Sequence, residues 1–447
     1  MSTQIPYIYT KEWGQVRYNL LIFLGFSSVF FPRLLDTLGA PSIINLAHFA
    51  IIPAIFLFVI SKNPLSTSLQ VLVAQRLLFS ALIFLAVMTA SALLNYAGAI
   101  NVVADFFILT EPFIFLFIVI ATPLSKKSFD QLNRWVRICM FLHIFLAYCQ
   151  SILIRLGLLA VTSMTAEDNV QGVFYLSFGG HVVSGFVASA FAFYIWISAD
   201  KQQTWLKAFL IGAVFYQILF SDAKQVIMIL AIAWILLLLT KVADPMKLIR
   251  YAIIASIVGF ILYWCIFNLE AFAAFKGWIR PGLYGPDGAA TLLKTAPLRI
   301  IPSYYKSPLN LLLGLGPGHT VGRLGGWMIE KYYSLLAPLG VTSHPATEAI
   351  RTVWSDNSWL DSSLFSPLWG WAGVWGDLGI LGLFSYLSLW WVVWQYVCKD
   401  GFSQFNVLAI FVNGFVFTQL EEPGYIISIM MLIGLRWHEQ GNRILIG

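Results

Sequence analysis

The chain has 447 residues, of which 59% are hydrophobic and only 11% are charged, and its mean hydropathy is +0.80. Soluble domains carry about 25% charged residues, so this composition excludes a water-soluble globular protein. The net charge of +6 requires no nucleic-acid partner, because lysine and arginine residues orient membrane proteins. The four cysteines lie in or beside apolar runs, with neither a disulfide framework nor a zinc-binding spacing.

The apolar runs predict an all-α polytopic membrane protein with about twelve transmembrane helices. A polar and aromatic segment without a cleavage-site pattern precedes the first run, which favours an uncleaved anchor over a signal peptide. The predicted spans are 18–31, 43–61, 77–95, 102–123, 135–154, 179–198, 205–220, 225–240, 249–270, 372–397, 403–418 and 423–436.

Basic residues are distributed unevenly between the two sides of the membrane. With the N-terminus inside, sixteen lysines and arginines flank the inner ends of the spans. The short outer loops contain three basic residues, Arg33, Arg155 and Lys224. Cytoplasmic loops are enriched in such residues, so both termini are predicted to be cytoplasmic. The resulting domains are spans 1–9 (1–270), a large, partly helical extracytoplasmic loop or lid (271–371), and spans 10–12 with a cytoplasmic tail (372–447).

Several polar residues mark the predicted outer face. Lys224 lies in a short turn between two spans, where it either forms a salt bridge with Asp222 or holds a phosphate group at the membrane surface. Glu421 and Glu422, in the last outer turn, are predicted to pair with arginines of the long loop. A histidine at the outer end of a span, such as His48, is interpreted as structural.

The long loop is the predicted working part, because it is too long for a simple connection and too aromatic for disorder. Its aromatic residues suit either interfacial anchoring or stacking on sugar rings. Glycine turns form anion nests, and arginines grip pyrophosphate bidentately. The candidate pyrophosphate ligands are Lys224, Arg280, Arg299, Arg323, Gly316 and Gly318, and the candidate general bases are His319, His344, Glu348, Asp356 and Asp361.

Three short motifs, in this order, carry a resemblance to a known family. They are Ser221–Gln225, Gly314–Gly318, and Asp356–Leu360 followed by Gly376–Leu383. Together with the span pattern, they resemble the bacterial O-antigen ligase and O-antigen polymerase superfamily over roughly residues 150–400. The family's usual histidine before the asparagine is Asp356 here, and its usual arginine in the short outer turn is Lys224.

The resemblance implies a metal-independent glycosyltransferase in the bacterial inner membrane that acts outside the cytoplasm without a cofactor. The donor would be a glycan on undecaprenyl pyrophosphate, and the acceptor a glycan or lipid-linked glycan. Lys224 with Arg280 or Arg299 would stabilise the pyrophosphate, and Asp356, His344 or His319 would deprotonate the acceptor. The implied partners are membrane lipids and a chain-length regulator or flippase. The replaced histidine favours a polymerase of O-antigen or exopolysaccharide over a ligase.

Two other classes of protein fit the span pattern. A membrane transporter or lipid-linked glycan flippase would need charged residues along a path through the spans, and the sequence is interpreted as nearly lacking them. It also shows no internal repeat, of which many transporters keep a trace. The third alternative is a non-catalytic partner in polysaccharide assembly.

Overall fold

Helices form all the regular secondary structure in the residues that the computed structural model describes. These residues are 17–62, 67–159, 161, 165–175, 179–198, 204–241, 245–272, 275–276, 281–356 and 363–444. An apolar segment in lipid must satisfy its own backbone N–H and C=O groups, which a helix does within one segment. The architecture is therefore that of an all-helical membrane protein.

The predicted apolar runs coincide with helices throughout the chain. The helices are α1 (Tyr18–Phe30), α2 (Pro32–Thr37), α3 (His48–Lys62), α4 (Ser68–Asn95), α5 (Ala99–Ala121), α6 (Lys126–Arg155), α7 (Gly180–Ile197), α8 (Thr204–Phe220), α9 (Lys224–Thr240), α10 (Pro245–Asn268), α11 (Ala289–Ile300), α12 (Leu309–Leu313), α13 (Pro345–Ser355), α14 (Gly370–Val392), α15 (Gly401–Asn413) and α16 (Pro423–Ile444). The twelve runs correspond to α1, α3 to α10 and α14 to α16. The long loop is partly helical, as predicted, and contains α11 to α13.

Length and composition identify the helices that can cross a membrane. Among the described residues, seven segments are long and apolar enough: Ser42–Lys62, Leu69–Asn95, Ala99–Ala121, Lys126–Arg155, Gly180–Ile197, Ile249–Asn268 and Gly370–Val397. Helices α1, α8 and α9 are apolar but shorter. The number of twelve spans and the side on which the loop lies stay predictions.

Helix α5 is one of the two most buried candidate spans. Of its most apolar 18-residue window, 72% is buried, compared with 83% for Gly180–Ile197, 22% for Ser42–Lys62 and none for Ile249–Asn268. It packs against α3, α4 and α16, while α4 packs along α14. A polar side chain on the inward face of α5 is therefore surrounded by protein rather than lipid, which matters for the site described below.

Helix α14 is broken, and a turn of the long loop fills the break. Gly379 has a φ of +66°, in the left-handed region that favours glycine. The carbonyl oxygen of Asp377 accepts hydrogen bonds from the Gly316 N–H at 2.9 Å and from the Ser91 hydroxyl at 2.8 Å. Irregular backbone at membrane depth is tolerated where protein satisfies it. The Gly316 turn is thus inserted into the bundle, between α4 and α14.

Close backbone contact at this insertion requires glycine. A Cβ atom at Gly379 would lie 2.4 Å from the backbone of Leu312, and one at Gly314 would lie 2.4 Å from the backbone of Asp377. These distances are far below van der Waals contact. The glycines of this turn and of α14 therefore allow the loop and the broken helix to approach each other.

Replacing Gly379 by alanine is expected to destabilise the protein by about 2–5 kcal/mol, from left-handed strain and backbone overlap together. The measurement is the thermal unfolding midpoint of the purified protein in detergent. Gly212→Ala in α8 is the matched control, because a Cβ atom there meets nothing within 4 Å. Equal midpoints for the two variants would show that the break in α14 does not depend on Gly379.

Candidate functional site

A cavity lies where α2, the start of α3, the loop segment 323–332 and the start of α16 meet. Apolar side chains of these elements form part of its wall. Its polar lining residues are Arg33, Asn45, His48, Arg323, Tyr332 and Glu422. This combination of cations, a histidine and a carboxylate makes the cavity the candidate functional site of the described residues.

Arg323 connects the long loop to the turn before α16. Only 8% of the residue is exposed, and its Nη1 atom forms an ion pair with the Glu422 carboxylate. Its backbone N–H donates a hydrogen bond to Glu421 Oε2 at 2.5 Å, and its guanidinium carbon lies 4.9 Å from the centre of the Trp327 ring. The predicted pairing of this acidic pair with a loop arginine is confirmed.

Arg33 and Lys331 add positive charge at the same place. Burial alone would raise the pKa of the Glu422 carboxyl, but the charges of Arg323 and Arg33 outweigh burial and lower it. Burial and the charge of Arg33 lower the pKa of Lys331. Asp36 and Glu422 act on Lys331 in the opposite sense. Two of the three cations, Arg33 and Arg323, line the cavity itself, where their guanidinium groups can bind an anion.

His48 is oriented by a buried carboxylate. Its Nδ1 atom lies 2.7 Å from Oε1 and 2.8 Å from Oε2 of Glu111, and the two residues are 3% and 1% exposed. A carboxylate at Nδ1 holds the proton on that nitrogen, so the lone pair of the neutral ring is on Nε2. Because His48 lines the cavity, this arrangement suits a general base. The interpretation of His48 as structural stays a prediction, which its pairing with Glu111 does not contradict.

Two of the predicted bases lie together, away from the lining of this cavity. The rings of His319 and His344 stack with centroids 5.5 Å apart. His319 Nδ1 donates to the Leu315 carbonyl and its Nε2 accepts from the Thr342 hydroxyl, each at 2.8 Å. Burial lowers the pKa of His319 to about 4. Both ring nitrogens are thus engaged in bracing the glycine turn.

His344 and a third predicted base, Asp356, lie at opposite ends of α13. His344 caps its N-terminus, where Nδ1 accepts the N–H of Ala346 at 3.2 Å, and Asp356 is the exposed C-terminal cap. Twelve residues at about 1.5 Å per residue separate them by about 18 Å. They therefore cannot act on the same hydroxyl group. Glu348 lies on α13, whereas Asp361 lies outside the described residues.

The predicted anion nest holds a carboxylate of the protein itself. Gly316 and Gly318 have φ values of +110° and +69°, as a tight glycine turn requires. The Gly318 N–H donates to Asp377 Oδ2 at 2.8 Å. This turn therefore binds α14 through the geometry that was expected to bind a phosphate.

The predicted cations are not brought together. Lys224, at the start of α9, is 8% exposed and its Nζ atom lies 2.5 Å from Asp222 Oδ1, which is the salt-bridge alternative of the two considered for this residue. Arg299 is exposed and bonds to its own helix, with Nη2 2.6 Å from the Leu292 carbonyl. Of the predicted cations, Arg323 lines the cavity. Arg280 lies outside the described residues.

Buried acidic residues within the spans were missed. Asp105 and Glu111 lie on the inward face of α5, and Asp377 lies at the break in α14. The expectation that the spans nearly lack charges is therefore wrong for these two helices. A signal was present in the sequence, because an acidic residue inside an apolar run is costly in a membrane and marks function by default.

Comparison of the chain with models of protein families, with curated proteins and with solved structures gave no match in any of the three.

Proposed function

We propose that the protein transfers a glycan from undecaprenyl pyrophosphate to the hydroxyl group of a second glycan, outside the cytoplasm of a bacterium. The observation that carries this proposal is a single cavity that presents Arg33, Arg323 and the His48–Glu111 pair. Guanidinium groups bind pyrophosphate through bidentate, charge-assisted hydrogen bonds. The apolar helices around the cavity provide a surface for the polyprenyl chain.

In the proposed reaction, each of these groups has one role. His48 Nε2 takes the proton of the acceptor hydroxyl as its oxygen attacks the anomeric carbon of the donor glycan. The bond between the anomeric carbon and the pyrophosphate oxygen breaks, and undecaprenyl pyrophosphate leaves with the bonding electrons. Arg33 and Arg323 stabilise the negative charge that develops on the leaving group. Glu111 stabilises the imidazolium ion that forms.

The proposed topology has twelve spans and both termini in the cytoplasm. The basic residues of the short loops support this orientation, which places Arg33, Lys224 and the loop on the outer face. The motif resemblance to O-antigen polymerases and ligases supports the same function. Asp356, in place of the family's usual histidine, favours a polymerase of O-antigen or exopolysaccharide. A chain-length regulator or flippase is the protein partner that this function requires.

The test uses the full-length protein reconstituted in nanodiscs with an undecaprenyl-pyrophosphate-linked oligosaccharide repeat unit from the source bacterium. We expect glycans longer than one repeat unit and the release of undecaprenyl pyrophosphate. The double variant Arg33→Ala/Arg323→Ala is the inactive control. If the wild-type protein binds the donor but neither elongates the glycan nor transfers it to a lipid acceptor, the proposed reaction is wrong.

A transporter or lipid-linked glycan flippase is the second candidate function. It is favoured by Asp105, Glu111 and Asp377, which are buried within the apolar helices, because intramembrane carboxylates line ion and proton pathways in transporters. Vesicles with lipid-linked glycan on one leaflet distinguish the two candidates. Movement of the glycan to the other leaflet without elongation would support the transporter, and elongation would support the transferase.

A further inference from the structure

Three buried carboxyl groups from separate elements lie within electrostatic range of one another, and one of them contacts Arg323 of the candidate cavity. Asp105 lies on α5, Asp377 at the break in α14, and Glu421 in the turn before α16, and they are 3%, 2% and 3% exposed. Gly322 lies next to both Glu421 and Asp377. A Cβ atom at Gly322 would lie 3.4 Å from Glu421 Oε2 and 3.6 Å from Asp377 Oδ2. Asp105 interacts electrostatically with both. We call these three residues the acidic cluster.

Each of two cluster carboxyl groups has one satisfied oxygen. Asp377 Oδ2 accepts from the Gly318 N–H at 2.8 Å, and Glu421 Oε2 accepts from the Arg323 N–H at 2.5 Å. Among the described residues, the other oxygens, Asp377 Oδ1 and Glu421 Oε1, are buried without a hydrogen-bond partner, and so is Asp105 Oδ2. An unsatisfied buried polar group costs about 1–3 kcal/mol. Three such oxygens in one region need a donor or a cation.

The Tyr386 hydroxyl is a further buried group of this kind. Tyr386, on α14, is fully buried and lies within electrostatic range of Glu421 and Asp105. Its hydroxyl neighbours the Trp390 indole N–H, which can only donate, so within the part of the chain that the structure describes the hydroxyl proton has no acceptor. The hydroxyl can donate to one open carboxyl oxygen of the cluster, but one donor cannot satisfy three such oxygens. The other open oxygens therefore need protons of their own.

The charged groups that face the cluster do not neutralise it. From the loop, Arg323 faces Glu421, but its guanidinium forms an ion pair with Glu422. His319 is held neutral by burial, which lowers its pKa to about 4. Carboxylates that share a buried site cannot all ionise, and an unpaired buried charge is avoided by neutralisation.

We propose that Asp105, Asp377 and Glu421 form a proton-binding site that holds at least one proton at neutral pH. Arg323 links this site to the cavity, because its backbone contacts Glu421 and its side chain lines the cavity. The proposal does not depend on glycosyl transfer, and its test uses no glycan.

The first measurement is the thermal unfolding midpoint of the full-length protein as a function of pH. Burial raises the pKa of Glu421 from 4.5 to about 8, although the N–H of Arg323 acts in the opposite sense. The folded protein then binds more protons than the unfolded chain between these values, so stability should fall as pH rises from 4.5 to about 8. Glu421→Gln keeps an acceptor for the Arg323 N–H but cannot titrate, so this variant should lose that part of the slope.

The second measurement is the infrared band of protonated carboxylic acids, recorded in a detergent without ester carbonyl groups. At neutral pH the wild-type protein should show this band. It should become smaller in Glu421→Gln, Asp105→Asn and Asp377→Asn, and should decrease as pH rises through about 8. Glu330→Gln is the matched control, because Glu330 is an exposed carboxylate paired with Arg351 at 2.6 Å.

Three results would overturn the proposal: no protonated-acid band at neutral pH, a band of equal size in the three cluster variants and the control, or loss of the band when sodium replaces choline at constant pH. The last result would make the cluster a sodium site. If Asp377→Asn or Asp105→Asn does not fold, Glu421→Gln and the wild-type titration decide the question, because both use a folded protein.

Discussion

Arg323→Ala is expected to reduce glycan elongation by about 10²- to 10³-fold, because a cation that stabilises transition-state charge contributes about 2.7–4 kcal/mol. Arg323 lines the cavity and is 8% exposed, so its charge is only weakly screened by water. Arg323→Lys should keep part of the activity, since lysine keeps the charge but loses the planar fork. The measurement is the rate of elongation by reconstituted protein at saturating donor.

Variants of two other arginines distinguish a loss of catalysis from a loss of folding in this experiment. Arg323→Ala leaves Glu422 without its ion-pair partner, which can lower stability, whereas Arg33 is only partly buried and is expected to tolerate Arg33→Ala. Arg33→Ala should reduce elongation with an unchanged unfolding midpoint. Arg299→Ala is the matched control, because this arginine is exposed and bonds to its own helix. If Arg299→Ala impairs elongation as strongly as Arg33→Ala, the anion site lies elsewhere.

His48→Gln is expected to reduce the rate of elongation by about 10²- to 10⁴-fold, the usual contribution of a general base. Donor binding should change little, because the cations that hold the pyrophosphate remain. The two measurements are the dissociation constant of the lipid-linked donor and the elongation rate at saturating donor. A fall in rate at constant affinity is the result that identifies a residue acting in the chemical step.

Glu111→Gln tests the orientation of the His48 ring. The amide can donate to Nδ1, which would move the proton to Nε2 and remove the lone pair that the proposed base uses. Elongation should therefore fall as it does in His48→Gln, although the imidazole is still present. His319→Gln is the contrasting variant and should lower the unfolding midpoint through loss of its two 2.8 Å hydrogen bonds. If His319→Gln folds but loses elongation activity, while Glu111→Gln keeps it, the catalytic centre lies at the glycine turn instead.

Local features of the fold were predictable because they depend on neighbouring residues. Each apolar run became a helix, since a helix satisfies the backbone without partners from elsewhere in the chain. The start of α4 is equally local, because the Thr67 hydroxyl accepts from the Gln70 N–H and the Gln70 side chain accepts from the Thr67 N–H. The salt bridge between Lys224 and Asp222 spans two residues and was one of the two alternatives that the sequence offered for Lys224.

The candidate site was harder to predict because its pairs are distant in sequence. His48 and Glu111 are 63 residues apart, and Arg323 and Glu422 are 99 residues apart. Residue types alone suggested that Glu422 would meet a loop arginine. They did not indicate which arginine, because that choice depends on the insertion of the loop beside α5. His48 alone resembles any histidine at a helix end, and only the carboxylate from α5 distinguishes it.

Composition and periodicity determined that this is an all-helical membrane protein with a long, structured loop, because burial of an apolar chain in lipid allows few other architectures. The sequence also supplied the chemistry of the candidate site, in its arginines, histidines and paired carboxylates. Only the tertiary structure decided which of these groups meet. The broken helix α14 admits the glycine turn, whose N–H groups bind Asp377 and are thereby removed from the candidate phosphate site. The same insertion places Arg323 beside Glu422 in a cavity that His48 also lines, an arrangement set by packing between helices rather than by order along the chain.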